Sequence, residues 1–186
     1  MRRVECYVAD RWWAADDEGR VIRHAATGEA LASVSSRGLD TAALVDHARR
    51  VGGPNLREMG FAGRAAALRA LARHLGERTE ELHEISYSTG ATRSDAELDI
   101  EGGIGVLAVY ASKGRRQLPA GNLVVDGPPE RLSRDGSFLG VHIRTPLEGV
   151  AVQINAFNFP CWGMLEKLAP ALLAGVPAIV KPASAT

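Results

Sequence analysis

Apolar residues recur at helical spacing through the middle of the chain and gather into short continuous runs near its end. In residues 41–51, Ala43, Leu44, Ala48 and Val51 share one face, Asp40 stands at an N-cap position, and Gly52-Gly53 predicts the stop. Phe61, Ala65, Leu68, Leu71 or Ala72, and Leu75 form a second stripe, which Leu82 and Ile85 continue beyond Gly76 until Gly90 ends it. Ser94 and Glu97 match the capping box of a third helix, with Ala96, Ile100, Ile104, Leu107, Ala108 and Ala111 on its buried face. Ahead of these helices the first 38 residues are mixed. Residues 4–8 suit a short strand, Trp12-Trp13 an aromatic pair lying over the surface, and Thr27-Gly28 a turn.

Gly102, Gly103 and Gly105 interrupt the third helix, each at a cost of about 1 kcal/mol relative to alanine. The Gly103-x-Gly105 spacing is open to a phosphate-loop reading. No strand leads into it and no helix N-terminus follows, so close packing against a neighbouring backbone is favoured. Residues 118–137 then turn to Pro, Gly, Asp and Asn, with Val124-Val125 as a short strand, and residues 138–145 alternate as another. The composition shift predicts three parts: 1–117, mainly helical; 118–148, a Pro/Gly-rich linker; and 149–186.

Residues 149–154 are a continuous apolar strand of the type buried in a parallel sheet. Residues 155–158 form a turn, and Pro160 takes a helix's first position. Trp162, Leu165, Leu168 or Ala169, and Leu172 or Leu173 make a stripe that stops at Gly175, and residues 178–181 are a second buried strand. This is a βαβ unit, so the fold class is α/β with parallel pairing. Ligands bind such sheets at the carboxyl ends of the strands, here residues 154–158 and 181–186. Asn158 adjoins a helix N-terminus; its spacing favours a cap or turn role, and its amide also suits donation to an oxyanion. Lys181 is followed by Pro182, Ala183 and Ser184 with no acid, which fits a solvent-facing lysine and equally a residue that reads a nucleotide ribose.

Composition mostly excludes. The 186 residues are 46% hydrophobic and 24% charged, as in an ordinary globular protein, and 22 basic against 22 acidic residues leave a net charge of +0. Bulk electrostatics therefore gives no reason to bind nucleic acid or an anionic membrane, and the basic clusters at Arg2-Arg3, Arg49-Arg50 and 113–116 are short. Cys6 and Cys161 cannot build a disulfide framework or a zinc site, and the five histidines lack metal spacing. No apolar h-region follows the N-terminus. The longest nearly apolar run, residues 168–180, is too short for a bilayer and contains Pro170, Gly175 and Pro177. The expectation is a reduced, cytoplasmic protein with no metal, no nucleic-acid partner and no membrane.

Taken together, Asn158-Phe159-Pro160, Lys167-Leu168-Ala169-Pro170-Ala171-Leu172 and Lys181-Pro182 resemble the hallmark of the aldehyde dehydrogenase superfamily. The likeness runs from Trp12 onward. Residues 155–160 with Trp162-Gly163, residues 99–105 and residues 89–93 are most similar to the dehydrogenase half of the bifunctional proteins of phenylacetate degradation. The semialdehyde-CoA dehydrogenases of benzoyl-CoA epoxide degradation come next. The resemblance implies an N-terminal helical layer with an oligomerisation hairpin, made by Val124 and residues 138–145, then the first βαβ unit of a Rossmann-like cofactor domain. It also implies a homo-oligomer in the full-length protein.

The cofactor implied is NADP, with NAD as the alternative. Ile154, Asn155, Ala156 and Phe157 would wall its nicotinamide side and Lys181 would hold its ribose. Ser184 falls where NAD-preferring relatives place a glutamate and leaves room for a 2′-phosphate. Asn158 would be the catalytic, oxyanion-holding residue. The substrate implied is a small-molecule aldehyde, specifically a CoA-linked semialdehyde, oxidised by thiolate attack, hydride transfer and thioester hydrolysis. The family's nucleophilic cysteine and general-base glutamate fall beyond the Lys-Pro strand, so the chain is read as an N-terminal portion, inactive alone. Cys161 lies in a first helical turn, where a thiol pKa can fall, but it is not matched to the nucleophile. Glu166 and Lys167 read as helix charges. The rival reading is a truncated, non-catalytic partner in oligomerisation or regulation.

Overall fold

The computed structural model describes residues 1–184. Asp40 caps α1 (Thr41–His47) as its position predicts, its Oδ1 accepting the Ala43 N–H at 2.9 Å. The chain does not stop at Gly52-Gly53. A π-helical turn (Ala48–Gly52) runs directly into α2 (Gly53–Gly76), and both glycines keep helical dihedrals. Gly52 serves proximity instead, since a Cβ there would lie 3.0 Å from Cβ of Pro177. The break falls at Gly60, with φ 61° and ψ 177°. A Cβ at Gly60 would stand 2.8 Å from the Ala120 carbonyl oxygen, and the next N–H, of Phe61, bonds Gly121 O at 3.1 Å.

On α3 (Thr79–Tyr87) the buried residue is His83 and Ile85 faces solvent, because His83 Nε2 lies 3.0 Å from Glu101 on the next helix. That helix, α4 (Arg93–Arg116), is capped by Thr92, whose hydroxyl oxygen accepts the Asp95 N–H. The helix therefore begins two residues before the box predicted at Ser94: Ser94 already lies within the first turn, and Glu97 accepts from Arg93 at 2.9 Å. Ala108 is exposed, while Asp99, Gly103 and Gly114 join Ala96, Ile100, Leu107 and Ala111 on the buried face. The stripes of α2, α4 and α5 (Pro160–Leu173) meet in one core around Phe61, Leu68, Leu107, Leu165 and Leu173.

The opening segment is more ordered than its pattern suggests. It forms β1 (Arg2–Val4), β2 (Cys6–Val8), β3 (Arg11–Trp13), β4 (Arg20–Arg23) and β5 (Ala30–Val34). β5 lies between β1, parallel to it, and β4, antiparallel. β2 and β3 form a hairpin whose turn residues, Ala9 and Asp10, both have positive φ. Trp12 is therefore a strand residue, exposed and edge-on to Tyr7 across the hairpin.

The linker carries β6 (Val124–Val125), β7 (Glu130–Arg131), β8 (Leu139–Gly140) and β9 (Ile143–Arg144). β6 pairs with β9 and β7 with β8, both antiparallel, so the single strand predicted at 138–145 is split in two.

β10 (Ala151–Ile154) and β11 (Ala178–Lys181) are parallel, in register from Ala151 opposite Ala178 to Ile154 opposite Lys181, with α5 between them. Gly175 ends α5 in a Schellman motif: Val176 N–H bonds Ala171 O at 2.9 Å and Gly175 N–H bonds Leu172 O at 3.0 Å. Neither strand is buried as its apolar run predicts: Val152 and Ile154 of β10 are 61% and 74% exposed, whereas Gln153 and Asn155 are buried, and β11 has no fully buried residue. α5 covers one face of this strand pair, and among the described residues the apolar side chains of β10 lie on the other.

Candidate active site

The parallel pairing brings the ends of β10 and β11 to one edge, where Asn155 N–H bonds Lys181 O at 3.1 Å. Ile154 and Lys181 are direct neighbours in the register, and both are exposed. Lys181 Nζ donates to Ser184 Oγ at 2.9 Å. The lysine and the serine singled out from sequence are thus one polar unit. Ala156, Phe157 and Asn158 continue from the same edge into α5, all exposed. Asn155 is 7% exposed, and neither Oδ1 nor Nδ2 has a hydrogen-bond partner among the described residues.

Asn158 is not the cap of α5. Phe159 holds the cap position and offers no side-chain acceptor. The first N–H groups of the helix are satisfied from outside it. Pro160 has none, Cys161 N–H bonds Asp99 Oδ2 at 3.1 Å, Trp162 N–H bonds Asp99 Oδ1 at 2.7 Å, and Gly163 N–H makes the first intrahelical bond to Phe159 O. Asp99 comes from α4 and is 4% exposed. Both of its oxygens face the positive end of the α5 dipole. The same arrangement closes this helix N-terminus to a phosphate, the ligand such an end otherwise favours.

The glycine run makes the arrangement feasible. A Cβ on Gly103 would come within 3.1 Å of Trp162 Cα, and one on Gly102 within 2.1 Å of the Trp162 ring. Close helix packing, the favoured reading of the glycine run, holds for Gly102 and Gly103, whereas Gly105 faces open space. At the far end of α5, Arg64 Nε donates to Leu173 O at 2.9 Å, and Arg64 Nη1 donates to Leu56 O and Asn122 Oδ1. Arg64 is 1% exposed, and burial pulls its pKa down. A carboxylate and a guanidinium from two other helices therefore hold the two ends of α5.

Cys161 gains nothing from its place in the first turn. Burial pushes its thiol up to about 11, with the Asp99 charge and hydrogen bond adding to the effect. Burial outweighs the pKa drop that a helix N-terminus can produce, and an anion as the acceptor at that terminus adds to the rise. Glu166 accepts from Trp162 Nε1 at 3.0 Å and lies 3.9 Å from Lys167 Nζ, so both belong to the helix surface.

Sequence reading missed Asp99 and Arg64 as site-builders. A signal existed: Asp99 sits at helical spacing from Ala96 and Gly103, and Arg64 from Phe61 and Leu68, each a charge on an apolar stripe. Among the described residues no group of three His, Cys, Asp or Glu could hold a metal, and no described helix is long and apolar enough to cross a membrane.

The model of the aldehyde dehydrogenase family matches residues 12–186. A 3,4-dehydroadipyl-CoA semialdehyde dehydrogenase of Aromatoleum evansii is 44% identical, over 97% of this chain and 35% of its own length. Among solved structures, a 3,6-anhydro-L-galactose dehydrogenase in complex with NADP superposes with a TM-score of 0.83 at 22% identity, over 100% of this chain and 37% of that one. A betaine aldehyde dehydrogenase of Staphylococcus aureus in complex with NAD+ gives a TM-score of 0.82 at 22% identity, over 100% of this chain and 36% of that one. At such identities the structural likeness speaks for the fold. The chain spans about a third of the length of these relatives.

Proposed function

The chain belongs to the aldehyde dehydrogenase family, and from that premise we propose that it forms the N-terminal part of an NADP-dependent enzyme that oxidises a CoA-linked semialdehyde in aromatic degradation. The observation that carries the reading is Asn158: an amide with no partner among the described residues, at the carboxyl ends of two parallel strands, ahead of a helix that another residue caps. When a thiolate outside these residues adds to the aldehyde, the Asn158 Nδ2–H group donates to the oxyanion that develops. Loss of one such donor costs about 10²–10³ in rate.

The strand edge suits a dinucleotide. Lys181 and Ser184 present an ammonium and a hydroxyl, with no carboxylate at the end of β11. Lys181 would hold the ribose and its 2′-phosphate, Ser184 would leave room for that phosphate, and residues 154–157 would wall the nicotinamide side. NADP supplies the acceptor for the hydride removed from the substrate carbon. Cys161, protonated and facing Asp99, takes no part in the attack. The 44% identical relative supports a CoA-linked substrate, and its adipyl-type semialdehyde is favoured over a phenylacetate-derived one. The exposed Val125, Phe138, Leu139, Val141 and Ile143, on the linker strands and beside them, support a role of this hairpin in oligomerisation.

Steady-state kinetics of the full-length enzyme test this. The expected outcome is a higher kcat/KM for the CoA-linked semialdehyde than for the same semialdehyde lacking CoA, and a higher value with NADP than with NAD. Ser184→Glu is expected to reverse the cofactor preference by roughly one to two decades, through repulsion of the phosphate and a new acceptor for the ribose diol. Equal turnover of both aldehydes removes the CoA assignment, and a preference for NAD in the unmodified enzyme removes the assignment to Lys181 and Ser184.

A further inference from the structure

We propose that Asp99 is a positioning residue for Asn158: reaching across from α4, it takes over the cap of α5 and so fixes the turn that carries the Asn158 amide and leaves that amide unoccupied. The inference rests on the oxyanion role proposed for Asn158.

Asparagine beside a helix start ordinarily bonds the nearest free backbone N–H groups, as a cap or an Asx turn. The backbone N–H groups at this helix start that lack an intrahelical partner are those of Cys161 and Trp162, and both are already bonded to Asp99. With that competition removed, the Asn158 side chain stays exposed and has no partner among the described residues. Phe159 at the cap position cannot take the part of Asp99, and Pro160 brings no N–H of its own.

Fixation follows from the same contacts. The aspartate side chain is short, and it spans the gap only because Gly103 lets the Trp162 backbone approach α4. Both Asp99 oxygens are engaged, so the first turn of α5 is held at two points, and Arg64 holds the opposite end through Leu173 O. Asn158 stands two residues before that clamped turn. Orientation of a reacting or stabilising group to within about 1 Å is worth up to about 10²-fold in rate, so a clamp at this place acts on turnover as well as on folding.

A double-mutant cycle in the full-length enzyme tests the proposal, using Asp99→Asn, Asn158→Ala and the two combined. Asp99→Asn removes the charge and leaves one acceptor oxygen. It is expected to lower kcat by about tenfold with the KM for the dinucleotide unchanged, and to lower it by less than about twofold once Asn158 is alanine. If Asp99→Asn costs the same factor in both backgrounds, or nothing in the first, Asp99 merely supports the helix and the proposal is overturned while the role of Asn158 stands. If Asn158→Ala leaves kcat unchanged, the oxyanion reading fails and the proposal falls with it. Should Asp99→Asn fail to fold, Asp99→Glu keeps the charge on a longer arm, and the same non-additivity with Asn158→Ala is required of it.

Discussion

Cys161 illustrates how a single side chain can look reactive in sequence and be inert in place. Its thiol is pushed up to about 11 because both burial and the Asp99 carboxylate disfavour the thiolate. Alkylation of Cys161, followed in a Cys6→Ser background, should therefore stay slow at pH 8 and rise only towards pH 11. The linked effect on stability has a definite sign. A folded-state pKa above the unfolded value contributes stability below the unfolded pKa, and that contribution is lost as pH rises from the ordinary 9.0 to about 11. A reactivity midpoint at or below pH 8 would contradict the environment described for this thiol. At this scale the places of Asn158 ahead of a helix and of Lys181 and Ser184 at a strand end were legible because strand ends and turns are local, whereas the roles proposed for them come from the family resemblance. Asp99 and Arg64 were not legible, because their partners on α5 lie 62 to 109 residues away in sequence and become neighbours only when α2, α4 and α5 pack.

Among the elements, those with a long apolar period were readable: α2 beyond Gly60, α4, and the β10–α5–β11 unit with its Gly175 stop. Punctuation by glycine was less readable, since glycine serves both as a helix stop and as a gap for a neighbour. Gly52-Gly53 has the composition of a stop and the dihedrals of a helix, whereas Gly60 breaks the helix because the linker backbone crosses it. The five short opening strands have too few residues each to show a period. The two uses of glycine can be told apart on α4. Gly102→Ala would drive a methyl into the Trp162 ring, and overpacking of this kind costs about 1–3 kcal/mol. Gly105→Ala meets nothing within 4 Å and should gain up to about 1 kcal/mol from helix propensity. Urea unfolding of both variants measures this, and equal shifts in one direction would contradict the packing role of Gly102.

In the whole molecule, the βαβ unit exposes an apolar face at Val152, Ile154 and Phe157, while the linker exposes Phe138, Leu139 and Ile143. Apolar surface distributed this way favours association. The isolated 186-residue chain is expected to self-associate in sedimentation or light scattering; a monodisperse monomer with a sharp cooperative melt would show these faces to be tolerated in water. The most direct test concerns the amide that the whole arrangement presents. For the full-length protein assayed with the proposed substrate and cofactor, a CoA-linked semialdehyde and NADP, kcat/KM of Asn158→Ala should fall by about 10²–10³ with the dissociation constant of the dinucleotide unchanged. A fall of less than about twofold, or a loss accounted for wholly by weaker dinucleotide binding, would contradict the assignment of Asn158 to the oxyanion.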